Sequence, residues 1–116
     1  MRDFTKYEVW QDGIDLAVKA YEITNDFPAE EKYGLVSQIR RASVSVPSNF
    51  AEGCSRSSEK DFKRFIEIAL GSSFELKTQL IISEKLKFLK EEKLNKHLTD
   101  LDKNAKQLNA LRNKLK

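Results

Sequence analysis

The chain has 116 residues, enough to bury a single core and too few for two independent domains, so residues 1–116 read as one domain. Hydrophobic residues at 40% and charged residues at 34%, with only four Gly and two Pro, exclude a disordered or all-β chain and favour an all-α fold. The formal net charge is +3, and its distribution is uneven: residues 84–116 carry ten Lys/Arg against five acids, residues 1–83 eleven against thirteen.

Nowhere do about 18 consecutive apolar residues occur, and "MRDFTKYEVW" is too charged for a secretory leader, so the expectations are no membrane partner and a cytoplasmic location. Cys54 is the only cysteine and His97 the only histidine, with Leu94 where a Glu-x-x-His motif needs its carboxylate. No disulfide framework, metal site or other cofactor is therefore expected, and Cys54 reads as a small packing residue.

Residues 5–25 predict the first helix. Tyr7, Trp10, Ile14, Ala17 and Tyr21 make one apolar stripe, and Val9, Leu16 and Ile23, with Gly13 and Ala20 between, make a second. Pro28, followed by Glu30 and Glu31, suits the first turn of a second helix that carries Leu35, Val36, Ile39, Ala42, Val46, Phe50 and Ala51 as far as Gly53. Ser58 with Asp61 resembles a capping box and announces the third helix. Phe62, Phe65, Ile66, Ala69, Leu76 and Leu80 mark its first face, and Leu70, Phe74, Ile81 and Phe88 a second. A turn near residues 89–92 separates it from a fourth helix with Leu94, Leu98, Leu101, Ala105, Leu108 and Leu115 in coiled-coil spacing. Short connections imply antiparallel neighbours, hence an up-down-up-down four-helix bundle. The second stripes have more to bury than one bundle covers, so Val9, Leu16, Ile23, Leu70, Phe74, Ile81 and Phe88 are the candidates for contact between copies.

The stretch "QIRRASVSVPSNFAEG" interrupts this regularity. Pro47 removes a backbone hydrogen bond and crowds the carbonyl of Ser43, so the second helix is expected to kink there, or to break and restart with Ser45 as its cap. Arg40 and Arg41 lie about 100° apart on a helix and cannot face one partner. Arg41 and Glu52 share a face but stand nearly three turns apart, so each needs another partner. The plainer reading gives Arg41, Pro47, Asn49, Glu52 and Gly53 a structural role, with Asn49 bonded to backbone freed by Pro47. The alternative gives the arginines to nucleic-acid phosphate.

"LVSQIRRASVSVPSNFAEG" (35–53) followed by "FIEIALGSSFELKTQL" (65–80) closely resembles the four-helix bundle proteins encoded within intervening sequences of bacterial 23S ribosomal RNA genes. The resemblance extends from "YEVWQDGIDLAVKAYEIT" through "FPAEEKYGL" into the last helix. It implies an up-down bundle that assembles into a ring, typically a homopentamer, and a relation to the basic pentameric accessory proteins of diversity-generating retroelements, thought to engage nucleic acid and a reverse transcriptase. The chain departs from that basic branch in its charge of only +3, and Ser73 stands where the family often has a large apolar residue.

Two functions follow from these readings. In the first, a homo-oligomer binds RNA or DNA, its cations summed over five copies. The candidate contacts are Arg40, Arg41, Arg56, Lys60, Lys63 and Arg64, or Lys103, Lys106 and Arg112 on the last helix. In the second, the ring is a scaffold for another protein and never meets nucleic acid. An enzyme is not expected: Gly13, Gly34, Gly53 and Gly71 are each isolated, His97 lies among Lys and Asn on a helix expected to be exposed, and Ser45, Ser48 and Cys54 have no sequence-visible base.

Overall fold

A computed structural model describes residues 2–115. It contains four helices and, among the described residues, no strand: α1 (Glu8–Thr24), α2 (Leu35–Cys54), α3 (Glu59–Lys85) and α4 (Glu91–Lys114). Each helix packs against the next, and α4 returns to close against α1, while the backbones of α1 and α3, like those of α2 and α4, stay apart across the core. The molecule is elongated, 43 × 24 × 20 Å, its long dimension set by the 27 residues of α3 at about 1.5 Å each. No described helix is long and apolar enough to cross a membrane.

The helix ends follow local chemistry, and two differ from expectation. The hydroxyl of Ser58 accepts a bond from Asp61 N at 3.1 Å and starts α3 as the capping box predicts. Pro28, by contrast, opens only a 3-10 turn, Ala29–Glu31, and α2 begins seven residues after it, at Leu35. There the Glu31 carboxylate accepts from Leu35 N at 3.3 Å, so that side chain meets one of the free amides of the first turn. The turn after α3 lies at residues 86–90, earlier than expected, because Lys87 adopts a left-handed φ of 66° and Phe88 N reaches back to Ser83 O at 2.9 Å. This is a Schellman stop with lysine where glycine is usual.

α2 runs unbroken from Leu35 to Cys54, so no restart occurs at Ser45. Gly53 is a buried helical residue rather than a stop; a Cβ there would come within 2.8 Å of Phe65 Cβ, so its small size lets α3 approach. The core falls into two apolar clusters. One holds Leu16, Ile39, Leu76, Leu80 and Leu101, the other Val9, Val46, Phe50, Phe62, Ile66 and Leu108. Between them along the four helices lie Gly13, Ser43, Ser73 and Asn104, all buried, so Ser73 belongs to a narrow layer of small and polar residues. Asn104 Nδ2 donates to the main-chain carbonyl of Val9 at 3.0 Å and joins α4 to α1.

The second stripe of α1, expected between copies, faces inward together with Ala17 of the first, while Tyr7 and Trp10 of the first pack at the edge of the core. Val9, Gly13, Leu16, Ala17 and Ala20 face inward, while Ile14, Val18 and Tyr21 are exposed. Helices that pack closely need small residues at the contact, and the aromatic stripe is too bulky for it. Leu70 is buried as well, and Ile23, Ile81 and Phe88 pack on the chain's own core. Of the seven residues expected at a contact between copies, only Phe74, 63% exposed, stands free of the bundle interior.

Candidate nucleic-acid interface and subunit contact

Two grooves border the outer side of α2. The first, of about 540 Å³, runs between α1 and α2 and is lined by Trp10, Ile14, Val18, Tyr21, Val44 and Pro47, with little polar surface. It exists because Gly13 brings α1 down onto Pro47 while the large residues of α1 lean to the α2 side. On the diagonally opposite helix, α3 exposes Ile68, Phe74, Ile82 and Leu86. These four are spread along the helix and around more than one of its sides, whereas the groove between α1 and α2 gathers its apolar residues in one place, as a contact site does.

The second groove, of about 680 Å³, is the more polar of the two and lies along the outer face of α2 that carries Arg41 and Asn49. Tyr33, Arg40, Arg41, Ser45, Asn49 and Glu52 line it, with Ser37 and Ser48. The two adjacent arginines have separate positions. Arg40 is fixed: Nε donates to Thr24 Oγ1 at 2.9 Å, Nη2 to Asn25 Oδ1 at 3.2 Å, and the guanidinium lies 4.5 Å from the Tyr21 ring centroid. It ties α2 to the end of α1. Arg41 is exposed and has no hydrogen bond or ion pair among the described residues.

Asn49 Nδ2 donates to Ser45 O and to Ser45 Oγ, both at 2.8 Å. Its backbone partner is thus the carbonyl of Ser45, not that of Ser43, the one Pro47 leaves without its usual donor. Ser45 Oγ also meets Ser72 Oγ at 2.9 Å, which links this network to α3. Glu52 pairs with Arg56 at 3.0 Å, one turn on, and not with Arg41.

The other cations are scattered. Arg56 is held by Glu52 and stacks on Phe65 at 4.7 Å, and Arg64 sits 5.9 Å from the same ring centroid. Lys60 and Lys63 near the start of α3 have no acidic partner among the described residues. On α4, Arg112 stands 3.9 Å from Glu67. Lys103 lines a small cleft with Asp12, Asp15, Lys19 and Asp100, and neither it nor Lys106 has an ion pair among the described residues. The basic C-terminal third therefore does not make one positive face, because acids from α1 and α4 itself lie among its lysines.

His97 departs from its sequence reading and Cys54 keeps to it. His97, expected to be exposed, is 2% exposed at the α1–α4 seam with Nε2 unbonded, and burial lowers its pKa. Its neighbours at the seam are Lys19, Glu22, Lys93, Lys96 and Asp100, so it stands apart from the groove that holds Ser45 and Ser48. Cys54 is a buried packing residue whose thiol burial pushes up to about 11, with a smaller opposing pull from Arg2. Tyr33, 88% exposed beside the polar groove, is absent from the sequence candidates, since periodicity carries no information about an aromatic in a connection.

No curated protein matches the chain. The model of one family does match, along residues 5–110, and its four-helix fold and polar α2 stretch agree with the resemblance read from sequence: the chain belongs to the 23S rRNA-intervening sequence protein family.

Proposed function

We propose that the chain acts as a non-enzymatic homo-oligomer, closed as a ring of five, that binds RNA or DNA through cations repeated around the ring. The observation that carries this reading is the uncovered apolar groove between α1 and α2. Further exposed apolar residues, Ile68, Phe74, Ile82 and Leu86, lie on α3, whose backbone is not next to α1. Two different apolar surfaces on one subunit favour head-to-tail contact, and such contacts close into rings when the rotation permits. Nucleic-acid binding is supported by Arg41, Lys60, Lys63 and Lys106, which have no acidic partner among the described residues. Each is weak alone, and repetition sums them.

The experiment is fluorescence anisotropy of labelled structured RNA and duplex DNA, titrated with protein at about 50 and 200 mM salt. Micromolar or tighter binding that falls steeply with salt is the expected result. A second reading is favoured by the alternating charges between α1 and α4, where Lys19 pairs with Asp100 at 3.2 Å. In it the oligomer is a scaffold for another protein, and absence of binding at the lower salt would favour it.

A further inference from the structure

We infer that the polar groove on α2 is a single-nucleotide site: an unpaired base stacks on Tyr33, and the adjoining phosphate is held by Arg41. The inference rests on the nucleic-acid reading above and says where and in what form the ligand is held. Among the described residues Tyr33 is the most exposed large hydrophobic side chain, at 88%, placed just before α2, with the Lys32 ammonium 5.4 Å from its ring centroid. An aromatic face open to solvent is a platform for any base. Arg41 lines the same groove and is the one arginine there without a partner, since Arg40 is held by Thr24 and Asn25. From Leu35, at the start of α2, to Arg41 is about 9 Å of helix rise, a span that a base and its phosphate, with the long arginine side chain, can bridge.

The groove's size and lining fit the same ligand. Its volume of about 680 Å³ falls within the roughly 300–1,000 Å³ usual for small-ligand sites. Between Tyr33 and Glu52 it presents Ser37, Ser48 and Asn49, hydroxyl and amide groups suited to a sugar or a base edge. A duplex keeps its bases stacked and offers only phosphate, so the site selects single strands.

The test compares a labelled oligouridylate, the same-length oligothymidylate and a duplex, against wild type, Tyr33→Ala, Tyr33→Phe and Arg41→Gln. Tyr33 is exposed, so its substitutions leave the fold intact, which circular dichroism checks. Tyr33→Ala should weaken single-strand binding about tenfold and leave duplex binding unchanged, with Tyr33→Phe close to wild type. Arg41→Gln should weaken both and lower the salt slope by about one. Equal loss on RNA and DNA strands assigns the contacts to base and phosphate; a loss confined to the RNA adds the 2′-hydroxyl. Wild-type binding that Tyr33→Ala does not change overturns the inference and leaves the nucleic-acid reading standing. No binding to any probe overturns both.

Discussion

A Cβ placed on Gly13 would stand 3.2 Å from Cβ of Pro47, closer than side chains ordinarily pack. The proline that looks like a helix breaker in sequence is therefore a contact residue: α2 continues through it, and its buried ring lies against the bare backbone of α1. Everything on the outer side of the α1–α2 pair follows from this close approach, including the tilt of Trp10, Ile14 and Tyr21 into an apolar groove.

The first prediction concerns this contact. Gly13→Ala gains up to about 1 kcal/mol of helix propensity but drives a methyl group into a rigid, buried ring. Pro47 cannot rotate away, so net destabilisation of about 1 kcal/mol is expected. Gly71 in α3 is the control, because a Cβ there meets nothing within 4 Å. Gly71→Ala should stabilise by about 0.5–1 kcal/mol, and urea denaturation of the two variants should give opposite signs.

The second concerns the stop of α3. Lys87 holds φ at 66°, a conformation that costs a residue with a Cβ about 1 kcal/mol or more. Lys87→Gly relieves this strain at the price of a more flexible unfolded chain. A net gain of about 0.5–1 kcal/mol is expected from the midpoint of denaturation, without change in helix content.

The third is a pH dependence. Burial lowers the His97 pKa below its ordinary 6.5, with Asp100 opposing and Lys19 reinforcing that shift. Lys19 and Glu22 face it from α1, and Lys93, Lys96 and Asp100 from α4. As pH falls through about 6.5 the unfolded chain takes up a proton that the folded chain resists, so the contribution of neutral His97 is complete above that value and declines below it. The slope cannot exceed about 1.4 kcal/mol per pH unit for one group. Denaturation between roughly pH 7.5 and 5.5 should show the decline in the wild type and a flatter profile in His97→Leu; parallel profiles would assign the effect to other groups.

Much of this fold was legible because bundle periodicity is strong: Phe62, Ile66, Ala69, Leu76 and Leu80 were expected in the core and are buried. The choice between the two stripes of α1 was not legible, because hydrophobicity ranks Trp10 and Tyr21 above Gly13 and Ala20, whereas close helix packing favours the smaller pair. The early end of α3 was hidden by Lys87, which occupies a position that sequence reading reserves for glycine. His97 looked exposed among Lys and Asn, yet it falls on the Leu94–Leu101 face of α4. In the candidate site, the separation of Arg40 from Arg41 followed from helix geometry, but which one was free depended on Thr24 and Asn25, outside the motif.

The most direct test of the central claim, that copies join through the α1–α2 groove, is the molar mass in solution by light scattering. A particle near five times the 13.4 kDa chain is expected for wild type. Val18→Lys, which places a charge on an exposed side of α1 without touching the core, should give a folded species of 13.4 kDa. A wild-type monomer, or a Val18→Lys variant with unchanged assembly, would contradict it.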